Sequence, residues 1–195
     1  MPEIETDRLL LRQFKMDDLD ELAELFADPL VVKYLGSGEP VSRAETETAL
    51  RSMIAHWERH GFGRWAAVHK PAGGLVGYGG LRSFHGEPEL VYLLGRDHWR
   101  RGLATEMALA CLRFGYEELG FERIIAMAKT QNVRSHRVLE KAGLRFERAA
   151  NIYGMDVVCY GLSRNAFLSA QEAHTHAPSP SCFSRETHER ARLRG

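Results

Sequence analysis

The sequence predicts an α/β (α+β) fold: one domain with a central, mostly antiparallel mixed sheet of about six to seven strands, flanked by about four helices. Three observations predict it. Between residues 63 and 95, three apolar segments are separated by the turn-forming stretches "KPAGG" and "HGEP", the pattern of an antiparallel meander. After Leu103 the apolar spacing becomes helical, then gives way to "RIIAMA", a short buried strand. The helical segments also carry their own start and stop signals, Ser42 with Glu45 at one start, and Asn132 with Gly143 around another helix.

In chain order, "ETDRLLLRQF" over residues 5–14 reads as a first strand. The next segment places Leu19, Leu22, Ala23 and Phe26 at helical spacing before Pro29. A second helix follows the capping box and carries Leu50, Met53, Ile54 and Trp57 on one face until Gly61. The meander comes next, "GRWAAVHK", "GLVGYGGLRSF" and "ELVYLLG", with glycines that relieve crowding in the middle strand. Met107, Ala110, Cys111 and Phe114 then define a helix to Gly120, followed by the strand at 123–128 and a helix from Asn132 to Gly143. Two strands near "LRFERAA" and "DVVCYGLS" close the domain at 168. Residues 169–195 are polar, hold two prolines and lack apolar periodicity, which predicts a disordered tail.

Composition narrows the function classes. Of 195 residues, 26 are Lys or Arg and 26 are Asp or Glu, so no global field selects for nucleic acid or membrane. The first residues mix acids and bases where a signal peptide needs an apolar core, and no apolar run reaches spanning length; the expectation is a soluble cytoplasmic protein. Cys111, Cys159 and Cys182 form no C-x-x-C pair, and the nine histidines, His85, His98, His136, His174 and His176 among them, show no ligand spacing; no metal is expected. Trp57 and Trp65 read as core residues. The acids Asp17, Asp18, Asp20, Glu21, Glu45 and Glu47 form either a solvated helix face or an attraction for a cationic acceptor.

The stretch "DHWRRGLATEMALA" at 97–110 sets two arginines and a glycine before a helix. The amides of a first helical turn lack intrahelical partners and sit at the positive end of the helix dipole, so "RRGLAT" can present donors to an anion. Gly102 lets that anion approach the backbone, Arg100 and Arg101 add charge, and Thr105 adds a hydroxyl. A solvated basic turn explains the same residues. Glu106, one turn in, suits the dipole and reads as structural.

Together, "ETDRLLLRQF", "ELVYLLGRDHWRRGLATEMALACLRFGYEELGFERI" and "QNVRSHRVLEKAGLRFE" resemble, in order and spacing, the GNAT superfamily of acetyl-coenzyme A-dependent N-acetyltransferases. Within it the chain is most similar to the RimJ/RimL-like branch, which acetylates N-terminal amines of ribosomal proteins. The resemblance spans residues 4–168 and implies a GNAT-like fold. It implies that the pyrophosphate of coenzyme A lies on the backbone of Arg100, Arg101, Gly102, Leu103, Ala104 and Thr105, with Trp99 where a Gln or Arg is usual. It also implies that "ELVYLLG" splays from the next strand and pairs with the pantetheine through Tyr92, Leu93 and Leu94, with a Leu94 amide as oxyanion donor. Asn132 stands where the family's second cofactor motif begins, followed by Ser135, Glu140, Lys141, Gly143 and Leu144.

The resemblance further implies two catalytic candidates. Glu89 aligns with a glutamate common in the branch and would deprotonate the amine; the alternative is a strand-end carboxylate paired with a neighbouring strand. Many members protonate the thiolate with a tyrosine at the position held here by Leu139, so Ser135 is the substitute donor, unless it only decorates its helix start. Tyr153 and Asp156 border the expected acceptor pocket. Three functions follow as alternatives. The chain acetylates a protein or peptide N-terminus, or a small-molecule amine such as an antibiotic or polyamine, or it binds acyl-coenzyme A without catalysis. A homodimer fits the branch, and binding of nucleic acid through Arg100, Arg101, Arg134 and Arg137 is disfavoured by the balanced charge.

Overall fold

The computed structural model describes residues 2–175. Eight strands form one sheet: β1 (Ile4–Glu5), β2 (Leu9–Gln13), β3 (Arg64–His69), β4 (Leu75–Phe84), β5 (Glu87–Leu94), β6 (Arg123–Lys129), β7 (Arg145–Ile152) and β8 (Met155–Ser163). Their order is β1-β2-β3-β4-β5-β6-β8-β7, and every neighbouring pair is antiparallel except β5 and β6. That parallel pair needs a long crossover, and the helix α4 (Leu103–Glu117) supplies it.

Alternation along the strands gives the sheet two apolar faces. On one, Ala66, Tyr78 and Leu93 pack with Leu22 and Phe26 of α1 (Leu19–Ala27), Val32 of α2 (Pro29–Val32), and Leu50 and Met53 of α3 (Arg43–His60). On the other, Trp65, Leu81, Leu90 and Ile124 meet Met107, Cys111 and Leu112 of α4 and Leu139 of α5 (Val133–Lys141). The glycines of β4 are required by this packing: a Cβ at Gly79 would lie 2.5 Å from Met107 Cγ, and one at Gly80 would lie 2.2 Å from the Gly63 carbonyl oxygen. Trp57 and Trp65 are both buried and meet edge-to-face at 4.9 Å.

The helix ends follow the sequence signals. Ser42 and Glu45 cap α3 reciprocally, and Gly61, in the left-handed region at φ 72°, closes it with its N–H on the Trp57 carbonyl. At the start of α1, Asp18 is gripped by both Arg12 nitrogens at 2.8 and 2.6 Å and by the Lys15 amide at 2.8 Å. Burial alone would raise this carboxyl, but those hydrogen bonds and charges outweigh it and hold it below the ordinary carboxylate value.

Three details exceed the sequence expectation of six to seven strands and four helices. The segment read as one strand over 5–14 breaks at a turn, where the Thr6 amide donates to the Leu9 carbonyl at 2.9 Å and folds β1 back on β2. Pro29, read as a stop, starts α2, with Asp28 capping the Leu30 amide at 2.9 Å. The helix α6 (Arg164–Thr175) runs past Ser169, where the sequence placed the start of the tail; its Phe167 is buried against Tyr116, ring centroids 4.8 Å apart. The rest of the tail, with His176 and Cys182, lies outside the described residues. Cys111 and Cys159 are buried free thiols, and burial pushes the Cys111 thiol up.

Two hairpin turns carry bulky residues in left-handed conformations, His85 (φ 49°) before Gly86 and Tyr153 (φ 50°) before Gly154. Consecutive positive φ values suit the right-handed twist of a two-residue hairpin. The Tyr153 hydroxyl and His85 Nε2 share a hydrogen bond of 3.0 Å, which ties the β4–β5 turn to the β7–β8 turn across the parallel junction.

Candidate active site

The parallel junction is short. β5 and β6 pair only at Glu89 with Ile125 and Leu90 with Ala126, after which they separate. Residues 91–94 of β5 and 127–129 of β6 therefore have facing edges without a shared ladder. On β5 the Gly95 amide donates to the Val76 carbonyl of β4, so strand alternation turns the polar groups of Tyr92 and Leu94 towards the gap. It turns those of Leu93 towards β4, opposite Tyr78. Of the three residues taken from the sequence for this edge, Tyr92 and Leu94 stand on it and Leu93 does not.

The Tyr92 side chain spans the gap. Its hydroxyl lies 2.7 Å from Ser135 Oγ and donates to the Ser135 carbonyl at 3.2 Å, joining β5 to the first turn of α5. Burial pushes the phenol up, so it stays neutral. Asn132 caps α5 by accepting from the Ser135 amide at 3.2 Å. The Ser135 hydroxyl is thus held by Tyr92, a residue that the sequence reading valued only for its backbone. Leu139, in the position of the family's tyrosine, is buried in the core.

At the far end of β5 the chain enters the loop 95–102. Arg100 (φ 61°) and Gly102 (φ 80°) both adopt left-handed conformations, and no side chain caps the start of α4. The amides of its first turn, at Leu103, Ala104 and Thr105, are thus left without the usual capping oxygen, the arrangement that receives an oxyanion. The donor chemistry fits a pyrophosphate. Arg8 places a further cation here: it donates to the Arg101 carbonyl at 2.7 Å and to Glu106 Oε2 at 2.7 Å, and a Cβ on Gly102 would lie 3.4 Å from its Nη2. Glu106 also accepts from Thr6 at 2.6 Å and from the Arg8 amide at 2.9 Å, so its role is to anchor the β1–β2 turn beside the loop. Trp99 donates through Nε1 to the Leu94 carbonyl at 2.7 Å, and the Arg134 guanidinium sits 4.8 Å from its ring centroid. The tryptophan that departs from the family loop thereby brings in an arginine from α5. Neither Arg8 nor Arg134 was found from the sequence for this site; both depend on contacts between distant segments.

Glu89 lies on the opposite face, towards α1 and α3. It is 3% exposed and forms an ion pair with Arg82 at 2.5 Å. Arg64 and Tyr78 share this face through the register of β3, β4 and β5. A separate cavity of about 240 Å³ between α1, β4 and the β5–α4 loop is lined by Glu21, Glu24, Asp28, Arg96, Asp97 and His98 with apolar neighbours. It contains none of the predicted site residues, and two of its acids are engaged: Asp28 pairs with Arg96 at 2.6 Å, and Glu21 accepts from the Leu75 amide. Among the described residues no group of three His, Cys, Asp or Glu side chains could hold a metal ion, and no helix is long and apolar enough to cross a membrane.

Comparison with known proteins bears on the same segments. The family model described as "Acetyltransferase (GNAT) domain" matches residues 8–145. An uncharacterized N-acetyltransferase of Bacillus subtilis (strain 168), YoaA, is 29% identical over 155 residues, covering 78% of this chain and 88% of its own. A GNAT-family acetyltransferase from Bacillus anthracis superposes with a TM-score of 0.75 at 24% identity, covering 84% of this chain and 99% of that one. RimL, a ribosomal L7/L12 alpha-N-protein acetyltransferase in complex with coenzyme A, superposes with a TM-score of 0.74 at 16% identity, covering 85% and 99%.

Proposed function

The chain belongs to the GNAT acetyltransferase family, and from that premise we propose that it carries an acetyl group from acetyl-coenzyme A directly to the α-amine at a protein or peptide N-terminus, as the RimJ/RimL-like branch does. The observation that carries this reading is the conjunction at β5. One strand offers an open backbone edge, ends in an uncapped helix start, and bears a buried carboxylate on its other face.

Each residue then has a task. The first-turn amides of α4 receive the pyrophosphate, with Arg134 adding positive charge and Arg8, its charge matched by Glu106, holding the loop. Tyr92 and Leu94 pair with the pantetheine arm as an added strand would, and a backbone N–H on the Glu89 side of this edge donates to the acetyl oxygen as charge develops there. Glu89 takes a proton from the amine directly or through water. Ser135, oriented by Tyr92, returns a proton to the departing thiolate. Acetyl-coenzyme A supplies the activated thioester. A modest base is sufficient for an α-amine, whose reference pKa of about 7.7–8.0 leaves on the order of a tenth neutral at pH 7; a lysine near 10.4 needs far more. The coenzyme A complex of RimL, a protein of the same fold named for α-N-protein acetylation, supports this choice of acceptor.

The test is coenzyme A release with peptides beginning in Ala, Ser and Met, beside their Nα-blocked forms, lysine, aminoglycosides and polyamines. Turnover should require a free α-amine, and Glu89→Gln and Ser135→Ala should each lower it by about 10²–10⁴-fold. Turnover of the small amines alone moves the acceptor to that class. Binding of coenzyme A without turnover of any amine defeats the enzymatic reading.

A further inference from the structure

The sheet face that holds Glu89 carries an unanswered charge. Register places Arg64 opposite Gly80, Tyr78 opposite Leu93, and Arg82 opposite Glu89, so the four polar side chains Arg64, Tyr78, Arg82 and Glu89 share that face. The Glu89 charge is matched by Arg82. Arg64 has no such match: among the described residues its guanidinium makes no ion pair, and its Nε is sealed from solvent without a hydrogen-bond partner. Its Cζ lies 5.8 Å from the Tyr78 ring centroid, and desolvation pushes its pKa down, with Arg82 adding to the effect and Tyr78 and Glu89 opposing it. A guanidinium does not give up its proton in a protein, so the fold holds two cations against one carboxylate in a half-buried place.

A buried cation without a counterion is kept at a cost to the free protein, and a ligand that brings the counterion removes that cost. The planar fork of an arginine matches the geometry of a carboxylate or phosphate. We propose that the acceptor carries, beside its amine, an oxyanion that Arg64 receives, so that this chain selects acidic amines over the polycationic ones. The proposal rests on the acetyl-transfer reading, in which the amine approaches Glu89 from the α1–α3 side. The coenzyme-facing groups Tyr92, Ser135 and the start of α4 are associated with the other face.

The experiment compares matched acceptors. One arm is an alanine-led peptide amide with Asp, Asn, phosphoserine or Ser in second position; the other is the dipeptide Ala-Ala with a free or amidated C-terminus. The arms separate a side-chain oxyanion from a terminal one. In at least one arm the wild-type protein should favour the anionic member by about tenfold or more in kcat/KM. Arg64→Met should bring that ratio to about one, and Arg64→Lys should keep part of it. Because among the described residues the Arg64 guanidinium makes no ion pair and meets only the Tyr78 ring, while its desolvation opposes the charge, Arg64→Met should melt at or above the wild-type temperature, whereas a merely structural arginine would lower it. A wild-type ratio near one in both arms, or a ratio that survives in Arg64→Met, overturns the proposal. Calorimetric titration of the same pairs into coenzyme A-loaded protein distinguishes the two readings. Preferential binding of the anionic member without turnover sinks only acetyl transfer, and equal binding of both members sinks the role of Arg64.

Discussion

Gly102→Ala is the sharpest probe of the helix-start loop. At φ 80° the residue occupies a conformation that costs an L-residue about 1–2 kcal/mol. The new Cβ would lie 3.4 Å from Arg8 Nη2, a flexible side-chain end that can yield. The stability loss should therefore be about 1–2 kcal/mol, a fall in Tm of roughly 2–8 °C for a domain of this size. The effect on coenzyme binding should be larger. Relaxing the loop out of the left-handed region misaligns at least one donor to a charged phosphate, worth about 1.5–3 kcal/mol, or a rise in Kd of roughly 10- to 150-fold. Gly120→Ala is the control. Gly120 has φ 68° with nothing within 4 Å of its added Cβ, and it follows the far end of α4. It should show the same kind of thermal loss with no change in Kd. Calorimetric titration of coenzyme A and thermal melts on the two variants decide the matter: an unchanged Kd in Gly102→Ala, or an equal loss in both, refutes the cradle.

Tyr92→Phe removes the hydroxyl that holds Ser135 and should lower kcat about three- to tenfold, from a hydrogen bond worth about 1 kcal/mol; steady-state kinetics at saturating acetyl-coenzyme A reads it. Arg134→Ala removes the cation stacked on Trp99 and should weaken coenzyme A about two- to fivefold, from roughly 0.5–1 kcal/mol, with a shallower salt dependence of Kd. Asp18 titrates below its unfolded value, so its stabilising effect is present above about pH 4 and is lost as pH falls through the folded value. Melts from pH 7 to pH 2 should therefore show Asp18→Asn well below wild type at neutral pH, with the difference closing in acid. A difference independent of pH would show that packing, not charge, is what Asp18 contributes.

Local signals carried most of the architecture. The Ser42–Glu45 box, Gly61, the Asn132 cap and the turns around the meander each fall where the residues indicate, because caps and turns are decided within a few residues of chain. The departures arise where distant contacts decide. Thr6 breaks the first strand through a hydrogen bond to Leu9 and is held by Glu106, and α6 forms where Phe167 finds Tyr116. The site follows the same division. The loop around Gly102 was legible because a glycine and a helix start are local, whereas Arg8, Arg134 and Arg64 acquire meaning only when strands and helices far apart in sequence are brought together. Leu93, taken together with Tyr92 and Leu94 as a run of three, turns its backbone polar groups towards β4, because alternation gives the open edge only every second residue.

The gap between β5 and β6 also concerns solubility. An unpaired strand edge is ordinarily an invitation to another chain, and proteins blunt it with charge, proline or a covering loop. Here the open edge lies inside the sheet, begins only after Leu90, and has its last carbonyl, that of Leu94, occupied by the Trp99 indole. Tyr92 stands across the opening like a strut. A slender, extended ligand can enter such a slot, but a neighbouring protein's strand finds too short a template to pair with, so the fold keeps a reactive edge available without making it a seed for aggregation.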